Sequence, residues 1–134
     1  MRDDDYGTTS PAAGGSSSIY RDAYAHLAAR EPIEALALVE PALDLSPADR
    51  GLRSLRAWAL LMRAQLQKAE VELATLVDED PSDAWARHAL GRALERQSRP
   101  AEALPHLRLA AAMTGDAVHE AAARRVQASL AAQP

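Results

Sequence analysis

An all-α protein built of stacked antiparallel helical hairpins is what this sequence predicts, on three observations. Alanine supplies 31 of the 134 residues, while phenylalanine is absent and aromatic residues make up 4%. Alanine is the best helix former, and sheets favour aromatic and β-branched side chains, so the composition points away from strands. Small and apolar residues then recur with a period of 34: Ala35, Ala69 and Ala103; Val39, Leu73 and Leu107; Ala23, Ala57 and Gly91. Turn-forming residues keep the same period, with Pro47, Pro81 and Gly115 at equivalent places. A repeat of this length is that of helical hairpins, each of which buries its apolar face against the next.

The elements follow in order, each with its local reason. Residues 1–16 are rich in Gly, Ser, Thr and Pro behind Asp3, Asp4, Asp5 and Tyr6. They offer little to bury and are expected to form a flexible tail. A first helix over 18–30 carries Ala23 on its close-packing face. A second over 32–45 opens on Pro32, a first-turn position where proline costs nothing, and sets Ala35 and Val39 on one face. Pro47 breaks the chain before a third helix over 48–63, with Ser46 beside it as a candidate cap. A fourth, over 66–79, repeats the pair as Ala69 and Leu73 and ends in the acidic run Asp78, Glu79 and Asp80. Ser82 and Asp83 are placed to cap a fifth helix over 83–97, which carries Leu90 and Leu94. Pro100 opens a sixth over 100–113 with Ala103, Leu104 and Leu107. A seventh, over 117–131, has Val118, Ala121, Ala122, Val126 and Leu130 as its apolar residues.

Composition also removes whole classes of chemistry. Without cysteine there are no disulfides, thiolate metal sites or cysteine nucleophiles. Fifteen basic against nineteen acidic residues give a net charge of −4, which disfavours nucleic acid as a partner. No apolar run approaches the roughly 18–20 residues that span a bilayer, so no membrane insertion is expected. The N-terminal Met-Arg-Asp-Asp-Asp-Tyr is not a signal peptide, and a cytoplasmic protein is expected. Fourteen of the basic residues are arginine, which with the alanine excess suggests a GC-rich bacterial coding bias. His26, His88, His106 and His119 show no metal-ligand spacing, and Gly14 and Gly15 are followed by serines rather than a phosphate-loop lysine. No catalytic residue, metal or cofactor is therefore expected.

The repeat resembles the tetratricopeptide repeat, a 34-residue helix-turn-helix. Leu90-Gly91-x-x-Leu94 and Ala103-x-x-x-Leu107 carry the resemblance in the third unit, Ala69-x-x-x-Leu73 with Pro81 in the second, and Ala35-x-x-x-Val39 with Pro47 in the first. The chain departs from the family where Asp22 and Arg56 replace the first-helix leucine, and where Leu76 replaces an alanine. The resemblance implies a domain over residues 17–132, with repeats at about 16–49, 50–83 and 84–117 and a capping helix at 117–131. It also implies that the hairpins stack as a right-handed αα-superhelix.

In that family the first helix of each hairpin lines a concave groove that receives a partner. The positions so implied include Tyr20 and Tyr24 in the first unit, Trp58 and Met62 in the second, and Trp85, His88, Arg92 and Arg96 in the third. Four of the five aromatic residues of the chain fall on this row. Leu27 and Leu61 fit either the groove or the packing between hairpins. Aromatic anchors followed by arginines suit an amphipathic helix or apolar strand from a partner protein, with Trp58 expected to act as an anchor separable from folding. The family's carboxylate-clamp subgroup uses lysine and asparagine where this chain has Tyr20, Tyr24, Leu55, Trp85 and Ala89, so chaperone tails are not expected to bind. Formal charge runs from −4 over residues 16–49 through −1 over 50–83 to +2 over 84–117. This gradient fits either ligand orientation or a solvated surface. The functional expectation is a non-catalytic adaptor or chaperone-like interaction module. The alternative is a homo-oligomeric scaffold in which acidic and arginine-rich ends meet head to tail.

Overall fold

The structure, a computed structural model, describes residues 17–133. The expected N-terminal tail, residues 1–16, lies outside the described residues. Seven helices follow one another: α1 (Ser17–Ala28), α2 (Pro32–Leu45), α3 (Arg50–Met62), α4 (Leu66–Glu79), α5 (Ala84–Arg96), α6 (Pro100–Thr114) and α7 (Ala117–Ala131). No strand occurs among the described residues. The fold class read from the sequence is thus the one observed, a helical repeat.

Helix ends differ from expectation for reasons of capping. Ser46 and Ser82 do not cap the helices that follow them; Asp83 does, as expected, and Asp49 does in place of Ser46, their side chains accepting from Ala86 N and Leu52 N at 3.0 Å each. Asp116 serves α7 in the same way, accepting from Val118 N at 2.9 Å. The first two caps are one full repeat apart, whereas Asp116 comes one residue early because Gly115 turns the chain in a left-handed conformation (φ 65°). Pro32 and Pro100 stand at the starts of α2 and α6 as expected.

The turns inside the hairpins carry a repeat that composition conceals. Arg30, Ala64 and Ser98, each 34 residues from the next, all have positive φ, at 65°, 58° and 61°. The N–H following each reaches back five residues: Glu31 to His26 O at 2.7 Å, Gln65 to Leu60 O at 2.9 Å, and Arg99 to Leu94 O at 3.0 Å. This bond satisfies a carbonyl that the helix end would otherwise leave open, which is why the chain accepts a conformation that glycine adopts most easily.

The chain forms two compact units that divide within α4, between Glu72 and Leu73. In the unit before that point, α1, α2 and α3 pack on one another. Its core includes Ala23, Leu27, Ala35, Val39, Leu52, Leu55, Ala57, Leu61 and Ala69, all essentially without exposure. The small-residue columns are therefore interior positions, and Leu27 and Leu61 belong to packing. In the unit after Leu73, α6 packs on both α5 and α7, and Ala103, Leu107, Ala110 and Val126 have no exposure. Gly91 explains itself here: a Cβ at this position would lie 2.5 Å from Leu107 Cδ2 and 2.7 Å from its Cγ. The α5 and α6 backbones approach too closely for a side chain.

Candidate functional site

The row of candidate residues begins on α1 and α3, in the unit that ends at Glu72. Tyr20 and Tyr24 lie one helical turn apart, with ring centroids 6.1 Å from each other and planes tilted by 32°. Tyr24 meets Trp58 of α3 edge to face, at 5.4 Å and 70°, a favoured geometry for aromatic pairs. Tyr20 and Tyr24 remain half-buried, as does Met62 one turn after Trp58, so the cluster has an apolar rim open to solvent. Burial, with a smaller contribution from neighbouring Tyr24, pushes the Tyr20 hydroxyl up to about 12. It stays a neutral hydrogen-bonding group across the physiological range.

Trp58 itself is only 5% exposed. The expectation that it could be truncated without disturbing the fold is therefore corrected: its side chain is buried in the core. Of the candidates in this unit, Tyr20, Tyr24 and Met62 keep part of their surface in solvent.

The four candidates on α5, in the unit that begins at Leu73, meet different fates. Trp85 and His88 are 1% and 0% exposed. His88 stacks on His119 of α7, ring centroids 4.3 Å apart and planes within 14°. His119 Nδ1 stands 3.1 Å from Thr114 Oγ1 and 3.5 Å from Ala110 O. The face where Trp85 and His88 were expected to meet a partner is thus interior to the protein, and α7 supplies part of the cover. Arg92 is half-buried and donates to Glu95 at 2.6 Å, while Arg125 of α7 grips the same carboxylate through Nε at 2.8 Å and Nη2 at 2.9 Å. Burial raises the Glu95 carboxyl, but the hydrogen bonds from Arg125 and Arg92 outweigh it and hold the group below its ordinary value. Arg96 is exposed.

The remaining histidines each meet a charged neighbour. His26 pairs with Glu31 at 2.8 Å across the first turn. His106 receives Arg87 Nη1 at 3.3 Å, and burial, aided by that cation, lowers its pKa. No group of three or more His, Asp or Glu among the described residues is placed to hold a metal ion. No helix among them is long and apolar enough to cross a membrane.

The seventh helix was expected as a capping helix, and what sequence reasoning missed is which of its residues are buried. The helix buries His119, Ala122, Ala123 and Val126 rather than Val118 and Ala121. The buried residues stand 34 positions after Trp85, His88, Ala89 and Arg92 of α5, the first three of which are buried, so the repeat register carried into α7 was the signal that could have revealed this face.

Comparison with known proteins agrees with this architecture. Residues 26–86 match the family model described as a tetratricopeptide repeat. A search of curated proteins finds no significant match. Among solved structures, the Arabidopsis OM64 TPR domain is similar at 22% identity and a TM-score of 0.76, over 85% of this chain and 95% of that one. The first TPR domain of human RPAP3 gives 18% and 0.76, over 84% and 90%. The Sgt2 TPR domain from Aspergillus fumigatus gives 20% and 0.78, over 96% and 89%. Over residues 26–86 the chain thus matches the tetratricopeptide-repeat model, and its fold is similar to that of these tetratricopeptide-repeat domains.

Proposed function

We propose that the chain is a non-catalytic protein-interaction module, of adaptor or chaperone-like type, whose α1–α3 surface receives an apolar side chain of a partner helix or strand. The observation that carries this reading is the Tyr20–Tyr24–Trp58 cluster, packed in sequence with its two tyrosines half-exposed. Tetratricopeptide-repeat domains are protein-interaction scaffolds, and tyrosine, tryptophan and methionine are the residue types enriched where one protein anchors another. Trp58 acts as the rigid floor of the surface. Tyr20, Tyr24 and Met62 make the contact.

The test avoids truncating the floor. Tyr20→Ser and Met62→Gln change half-exposed side chains, and each is expected to weaken a captured partner by about 1–2 kcal/mol, as the loss of a contact anchor does. Capture from a native lysate on the wild-type chain, followed by titration of the purified partner against both variants, measures this. If both variants bind as wild type while exposed changes on α2 or α4 abolish binding, the aromatic cluster is a packing feature and the assignment fails. Multi-angle light scattering at low salt addresses the scaffold alternative, which requires mass to grow with concentration.

A further inference from the structure

A second surface lies on α2, α3 and α4 of the same unit. There a pocket of about 560 Å³ is bedded by Leu36, Leu60 and Val71, a size suited to a small ligand or a few side chains of a peptide. Val71 leaves 69% of its surface in water, unusual for a β-branched side chain on a helix. Three cations and two carboxylates line the pocket, and they are not equivalent. Arg56 is held by Glu72 at 2.7 Å and by Glu40 at 3.6 Å. Burial alone would lower its pKa, and those two carboxylates raise it instead. The two acidic groups are thereby engaged by one arginine. Arg63 and Lys68 form no ion pair among the described residues and both are exposed, so the charge left over at the rim is positive. Gln65 and Gln67 complete the lining with amides that can both donate to and accept from a peptide backbone.

We propose that this pocket is a second interaction surface, taking a partner peptide that places an aliphatic side chain beside carboxylates. The aliphatic side chain covers Leu36, Leu60 and Val71, the carboxylates meet Arg63 and Lys68, and the glutamines pair with the backbone. Charge complementarity selects this occupant: a bare anion leaves the apolar bed wet, and a basic segment meets two unpaired cations. The site stands apart from the Tyr20–Tyr24 surface and does not depend on it.

The test is a titration of the ¹⁵N-labelled full chain with the acetylated, amidated peptide Ser-Leu-Asp-Asp-Ser, against Ser-Leu-Lys-Lys-Ser as control. Saturable shifts centred on residues 36–40 and 60–72 are expected for the acidic peptide, with the basic one at least about tenfold weaker. Reversing both rim charges (Arg63→Glu with Lys68→Glu) is expected to weaken the acidic peptide about tenfold. Val71→Ser is expected to weaken it about threefold, roughly the loss of one methyl-sized apolar contact. All three positions are exposed, and unchanged circular dichroism verifies the fold. Tyr20→Ser leaves this binding unaltered, so failure here and failure of the aromatic surface are read separately. Absence of shifts, equal response to both peptides, or shifts centred on Tyr24 and Trp58 overturns the proposal. A mass that doubles with concentration and is restored to monomer by Val71→Ser overturns it in favour of a second copy of this chain.

Discussion

Gly91→Ala should destabilise the protein, although the same change in an ordinary helix stabilises it. In a helix interior alanine is better than glycine by about 1 kcal/mol. Here the new Cβ would stand 2.5 Å from Leu107 Cδ2 and 2.7 Å from Cγ, and 3.4 Å from Ala103 O. Carbon atoms prefer about 3.5–4 Å, so Leu107 must retreat by about 1 Å at its branch point, not merely at its tip. Leu107 has no exposure, so its retreat presses on buried neighbours. Forcing a methyl into a filled core costs about 1–3 kcal/mol, which leaves a net loss of about 1 kcal/mol and a melting temperature lower by roughly 2–6 °C. The sign should reverse in a Leu107→Ala background. That change alone costs about 2–5 kcal/mol, but it removes the atoms that clash, so Gly91→Ala should then recover about 1 kcal/mol. Thermal and urea unfolding of the four proteins of this cycle measure the coupling, expected near 2 kcal/mol. A Gly91→Ala protein that melts above wild type, or an effect of the same sign in both backgrounds, would refute the close approach of α5 and α6.

Ala64→Gly should stabilise, because alanine holds φ 58° at a cost of about 1–2 kcal/mol that glycine avoids, less about 0.5–1 for glycine's extra freedom when unfolded; a urea midpoint no higher than wild type would count against the left-handed turn. Ser98→Gly, at φ 61°, should behave alike. Glu95→Gln should cost about 1 kcal/mol and speed amide exchange in α7, since it weakens the grip of Arg125. Its pH signature is specific: the Glu95 pKa is lower folded than unfolded, so its contribution is complete above about 4.5 and fades as pH falls through the folded value. Glu95→Gln should therefore flatten the stability profile below pH 4.5. The gentler decline that begins below about 6.5, where His106 with its lowered pKa resists protonation, should persist. A profile unchanged by Glu95→Gln would show that the carboxylate does not hold α7.

How much of this was legible in the sequence depends on what each position had to satisfy. The columns Ala23, Ala35, Ala57, Ala69 and Ala103 are interior because only small side chains fit there, and a volume constraint repeated at one period is written directly in residue type. The turns were illegible for the opposite reason. Arg30, Ala64 and Ser98 share a backbone conformation without sharing a residue type, because the five-residue back-bond tolerates any side chain that points to solvent. Caps fell between these cases: an aspartate is a recognisable capping residue, yet Asp49 stands among Ser46, Pro47 and Asp44, and several nearby oxygens fit the same rule.

The candidate site shows where a repeat register stops being informative. Equivalence by 34 assigns Tyr24, Trp58 and Arg92 to the same place on their hairpins, but it says nothing about what lies against that place. Exposure is set by neighbouring helices. On α5 part of that cover is α7, where His119 stacks on His88. An imidazole pair with planes within 14° is a tertiary arrangement of two residues 31 positions apart, and no periodicity announces it. On α1 the two tyrosines keep part of their rings in solvent, although Trp58, which anchors them, has been drawn into the core. Aromatic residues on one predicted row therefore differ in depth, with Trp58 and Trp85 buried and Tyr20 and Tyr24 half-buried. For that reason changes at Tyr20 and Met62, rather than at the more conspicuous Trp58, are the ones expected to separate the proposed binding from folding.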